Sequence, residues 1–108
     1  MKVVVLRTGP TSAAVGLRSA AEMARQGERV ALCMIQDGVL CALKGDNAPS
    51  SDLLAQAADA GAELRYLAAD LVTRGFREED VRSEAEPLGY GELVELMLGE
   101  GNQVLGAF

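Results

Sequence analysis

The chain has no histidine and no tryptophan, and only two cysteines, two tyrosines and two phenylalanines. Without histidine, neither a Ser-His-Asp set nor a Cys-His pair can be assembled. The side chain most often used as a general base at neutral pH is also missing. A zinc site would have few ligands to draw on, so no metal and no cofactor are expected. Aromatics make up 4% of the residues, which leaves Val, Leu, Ala and Met to build the core. Positive charge is also scarce: 10 Lys and Arg stand against 16 Asp and Glu, for a net charge of −6. That balance argues against a phosphate backbone or an anionic membrane surface as partner. No apolar run approaches the roughly 20 residues of a membrane span. The opening MKVVVLRTGP is too short for a secretory signal. With two unpaired thiols, these features predict a cytoplasmic protein.

What is present is apolar and small. Hydrophobic residues make up 49% of 108 positions, enough for one domain over residues 1–108 with a real core. Lys2–Leu6 and Val30–Ile35 are apolar at nearly every position, the pattern of strands buried on both faces of a parallel sheet. Glu63–Leu67 alternates, as a strand nearer the sheet edge does. Pro87 keeps any strand in Ser83–Leu88 short or at an edge. Gln103–Ala107 reads as the last strand.

Helical spacing falls between these strands. The segment Ser12–Gln26 places Ala14, Leu17, Ala21 and Ala24 on one face, with Thr11 or Ser12 as N-cap and Gly27 ending it. Val39–Leu43 reads as a short apolar helix after the turn Gln36-Asp37-Gly38. After a polar loop at Asp46–Pro49, a helix runs from Ser50 or Ser51 to Ala60. Leu71–Arg74 is one turn, and Phe76–Val81 is another short helical piece. Tyr90–Leu98 is the last helix, with Leu93, Leu96 and Met97 inward. Strands alternating with helices predict an α/β fold: a three-layer α/β/α domain with a mostly parallel sheet of about five strands.

In such sheets ligands gather at the carboxyl ends of the strands. Cys41 is placed there, in the expected first turn of a helix, where a thiolate is stabilised and can carry or attack sulfur. Equally, a free cysteine is often a small buried hydrophobe. Cys33 is mid-strand and reads as core. Thr11 and Ser12 offer hydroxyls and backbone N–H groups to an anion, or simply cap the helix. Asp37, Gly38 and Arg74 border the same surface, although Arg74 can also serve the carbonyl end of its own short helix. No phosphate-loop or dinucleotide pattern follows the first strand.

Several short motifs occur in a telling order. An apolar strand runs into Asp37-Gly38-Val39. Gly61-Ala62-Glu63-Leu64-Arg65-Tyr66 and Arg74-Gly75 follow, then Leu93-Val94-Glu95-Leu96, Val104-Leu105 and Phe108. In this the chain resembles the DsrE/DsrF/DsrH family, with its YchN-like and Tus branches. The resemblance implies a small α/β/α domain that assembles into homo-oligomers, as trimers or hexamers, or into hetero-oligomers with related subunits. It also implies a place in intracellular sulfur relay, in which a cysteine persulfide passes between proteins. Active members carry their cysteine at the end of the strand before Arg-Gly. Here that position falls at Leu67, beside Ala68 and Ala69, and none of the three can hold sulfur. The resemblance therefore implies a non-catalytic, oligomeric or partner-binding member. The alternatives are a sulfurtransferase or persulfide carrier using Cys41, and a binder of small anions at Thr11, Asp37 and Arg74. The helix with Leu93, Leu96 and Met97 and the short helix with Val39, Leu40 and Leu43 are the expected interfaces.

Overall fold

The computed structural model describes residues 1–45 and 48–107. The polar loop expected at Asp46 and Asn47, and the terminal Phe108, lie outside them. Five strands form one all-parallel sheet: β1 (Lys2–Leu6), β2 (Val30–Met34), β3 (Glu63–Leu67), β4 (Ala85–Leu88) and β5 (Gln103–Ala107), in the order β4-β3-β2-β1-β5. The continuous apolar runs of β1 and β2 are central, and every residue of β2 is buried. The alternating β3 lies one place in from an edge. Pro87 sits in the edge strand β4, where a missing N–H costs no ladder bond on the outer side.

Four α-helices connect the strands: α1 (Ala14–Arg25), α2 (Ala48–Asp59), α3 (Ala68–Thr73) and α4 (Tyr90–Leu98). The chain steps from β1 to β4 in one direction. Right-handed crossovers therefore put α1, α2 and α3 on one face. Leu17, Ala21, Leu54, Ala57 and Leu71 of these helices pack there with Val4, Leu32 and Tyr66 of the sheet. The return from β4 to β5 puts α4 on the other face. There Leu93 closes a smaller core of Val3, Val5, Ala31, Cys33, Leu67 and Leu88.

Arg65 and Glu92 tie α4 down. The Arg65 guanidinium donates to the Pro87 carbonyl and to the Glu92 carboxylate, each at 3.0 Å. Glu92 also accepts the Gly89 N–H at 3.1 Å, ahead of the helix. That backbone bond first, and then Arg65, hold the Glu92 carboxyl below the usual carboxylate range.

Some local expectations are corrected. Helix α1 begins at Ala14 after Ala13, and neither Thr11 nor Ser12 caps it by its side chain. Instead the chain turns at residues 9–12, with the Ser12 N–H donating to the Gly9 carbonyl. Helix α3 starts at Ala68, directly off the strand, rather than at Leu71. The segment after Met34 is a 3-10 helix over Gln36–Ala42, so Gln36-Asp37-Gly38 is its first turn and not a separate turn before an α-helix. Met97 points outward, 38% exposed, because the nine-residue α4 reaches the sheet through Leu93 and Leu96 alone.

Candidate functional site

The carboxyl ends of β1, β2 and β3 meet the 3-10 helix and α3. Gly38 is needed at this junction, because a Cβ there would overlap the Leu6 carbonyl oxygen at the end of β1. The Ile35 N–H donates to that same oxygen at 2.8 Å. Gln36 adopts a left-handed conformation at φ 50°, which is unfavourable for a residue with a Cβ. Asp70, in the first turn of α3, compensates by accepting the Gln36 N–H at 2.6 Å. Asp70 stands out only weakly in the sequence. Its only signal is an acidic residue just after a strand, where a helix N-terminus favours negative charge.

Asp37 and Arg74 do converge. The Arg74 Nε–H donates to Asp37 Oδ1 at 3.0 Å, and an Nη1–H donates to the Asp70 carbonyl at 3.1 Å. Arg74 thus serves the 3-10 helix and its own helix α3 together. Asp37 stays 66% exposed at its side chain, so the pair faces solvent at the strand ends. Thr11 and Ser12 are exposed on the turn that leaves β1.

Cys41 is not in the first turn of a helix but near the end of the 3-10 helix, where no N-terminal N–H groups are free to stabilise a thiolate. It is 5% exposed, and its Sγ lies 3.8 Å from the Thr8 carbonyl oxygen, placed to donate to it. Burial pushes its thiol up to about 11, the reverse of the lowering expected from a helix start. Cys33, wholly buried within β2, is likewise pushed up to about 11 by burial, which outweighs the favourable charge of Arg65. At pH 7 a thiol titrating near 11 is ionised in about one molecule in ten thousand, and the thiolate is the form that attacks sulfur. Leu67 is 2% exposed and packs within the smaller core beside Cys33, Leu88 and Leu93.

A family model described as "DsrH like protein" matches residues 11–103. Over 74 residues the chain is 34% identical to Protein TusB of Pectobacterium carotovorum subsp. carotovorum (strain PC1), a match covering 68% of this chain and 72% of that protein. In fold it is similar to the ychN protein from E. coli, with a TM-score of 0.82 at 18% identity over 99% of this chain and 97% of that one. It is also similar in fold to MTH1491 from Methanobacterium thermoautotrophicum, a protein of unknown function. That TM-score is 0.75 at 14% identity, over 96% of this chain and 97% of the other.

Proposed function

Since the chain belongs to the DsrH-like family of sulfur relay proteins, we propose that it acts there as a non-catalytic subunit. In this reading it completes an oligomer in the cytoplasm and presents a surface to partners, while the persulfide rides on another chain. The observation that carries the reading is Leu67. At the position where the resemblance places the sulfur-bearing cysteine stands a buried leucine, part of the core cluster that also holds Cys33, Leu88 and Leu93. A persulfide there would have neither an anionic form stabilised by solvent nor a path to an acceptor. The two thiols the chain does have are buried and held protonated, which supports the same conclusion.

The test uses the double variant Cys33→Ala, Cys41→Ala, combined with a cysteine-bearing subunit of the family. A non-catalytic subunit supports sulfur transfer in the assembly as well as the wild type does. Loss of transfer with an intact assembly would show that one of these thiols handles sulfur.

A second reading has one observation in its favour. Asp37 and Arg74, far apart in sequence, are brought to 3.0 Å at the strand ends beside Gly38. With Thr11 and Ser12 on the neighbouring turn, this surface is a candidate site for a small anion. Titration with thiosulfate, followed by thermal shift, tests it. A specific ligand raises the melting temperature with concentration, and Arg74→Ala abolishes the rise.

A further inference from the structure

Tyr66 belongs to the larger core and is 1% exposed. Its side chain nonetheless borders an open cavity of about 490 Å³, beside β4 and a second 3-10 helix, Glu78–Asp80. With the ring enclosed in the core, the hydroxyl is the part that reaches the cavity. A buried tyrosine hydroxyl ordinarily has a hydrogen-bond partner. This one has none among the described residues. Burial first, and then the Glu78 carboxylate, raise the phenol above its ordinary value. It therefore stays neutral at pH 7 and offers its oxygen lone pairs to the cavity. Glu78 lines the same cavity, and its carboxylate has no hydrogen-bond or ion-pair partner among the described residues either.

The positive charges nearby are already committed. Arg82, which also lines the cavity, donates from Nε and Nη2 to Glu84 at 3.3 and 2.9 Å. Its Nη1 donates to the carbonyl and the hydroxyl of Ser51, each at 3.3 Å. Arg77, next to Glu78 in the chain, is paired with Glu79 at 3.8 Å. Ser83 turns its hydroxyl hydrogen toward Glu84 at 3.5 Å, which leaves its oxygen lone pairs to the cavity. The free groups are thus acceptors, and one of them is charged. An anion would meet the unpaired Glu78 carboxylate. A neutral guest would strip water from that carboxylate without replacing it. A metal ion lacks ligands, since no three carboxylates or thiols come together among the described residues. An ammonium group has three donors, one positive charge and no acceptor, which matches the set. The volume lies within the ~300–1,000 Å³ of small-molecule sites. We infer that this cavity binds a small aliphatic amine, its ammonium group held by the Glu78 carboxylate, the Tyr66 hydroxyl oxygen and the Ser83 hydroxyl oxygen. The site shares no residue with the Asp37–Arg74 surface and is independent of how the chain handles sulfur.

The experiment is an amide NMR titration of the full chain with putrescine at pH 7, repeated on Tyr66→Phe and on Glu78→Gln. Tyr66→Phe is the discriminating variant. It keeps the ring in the core and every charge on the protein, so attraction of a cation to a chain of net charge −6 is unchanged by it. Glu78→Gln is at the surface, and circular dichroism melts check that both variants fold. In the wild type, putrescine produces saturable shifts centred on Tyr66, Glu78 and Ser83. Each variant binds about tenfold more weakly, as loss of a hydrogen bond to a charged group implies. The neutral diol of the same length produces no such shifts. Three results would overturn the inference: no saturable shifts in the wild type, shifts spread over the acidic surface that persist in Tyr66→Phe, or equal binding of the diol.

Discussion

Replacing Leu67 by cysteine restores, on paper, the residue that active relatives are expected to carry. The structure predicts that it restores nothing. Leu67 is 2% exposed within a closely packed cluster. The exchange removes roughly two carbon-sized atoms, worth about 0.8 kcal/mol each in lost burial. The residual cavity adds to this, so the loss is about 2–3 kcal/mol. For a domain of this length, that lowers the melting temperature by about 10–20 °C. The new thiol lies under α4, so its reaction with a disulfide reagent under native conditions waits on opening of that helix or of the whole domain. Urea unfolding and labelling kinetics on Leu67→Cys measure both quantities. A variant as stable as wild type, with a thiol labelled at the rate of an exposed cysteine, would refute the reasoning and show an open site at position 67.

Other consequences follow from the same geometry. Gly38→Ala drives a Cβ into the Leu6 carbonyl oxygen and is expected to cost about 3 kcal/mol or more, read from the urea midpoint. An unchanged midpoint would mean that the 3-10 helix does not sit on the end of β1. Asp70→Ala removes the acceptor for the Gln36 N–H and should cost about 1–2 kcal/mol. It should also speed hydrogen exchange at that amide, and unchanged protection would contradict the assignment. Both thiols titrate near 11 in the fold against an ordinary value of 9.0. Above pH 9 the unfolded chain therefore sheds protons that the folded chain keeps, and stability falls as the pH rises toward 11. Thermal melts at pH 8, 9 and 10 should show the fall in wild type and a weaker one in the Cys33→Ala, Cys41→Ala variant. Equal slopes would argue that burial does not hold the thiols protonated.

The sheet was legible because burial on both faces forces apolar residues into consecutive positions, as in Val3-Val4-Val5 and Ala31-Leu32-Cys33. Pro87 pointed to a short or edge strand, and β4 is both, while the span of α4 followed from its spacing and the glycines around it. What could not be read was set by tertiary contact. Nothing local marks Gln36 as left-handed, since Asp70, 34 residues away, stabilises that conformation. With the 3-10 helix starting at Gln36, Cys41 falls at its end instead of its start, which removes the physical basis for a lowered thiol pKa. Arg74 and Asp37 were each recognised at the strand ends, but their pairing depended on α3 starting at Ala68, directly off β3. Met97 was assigned inward by spacing, yet so short a helix on an otherwise uncovered face leaves it outside.

The role proposed for this member of a sulfur relay family is one without sulfur uptake by its own thiols. Intact-mass spectrometry of the folded protein after exposure to a persulfide-loaded sulfurtransferase tests this directly. The predicted spectrum is unchanged, with no sulfur added to either thiol. A mass gain of one sulfur atom that disappears in Cys41→Ala would contradict the account.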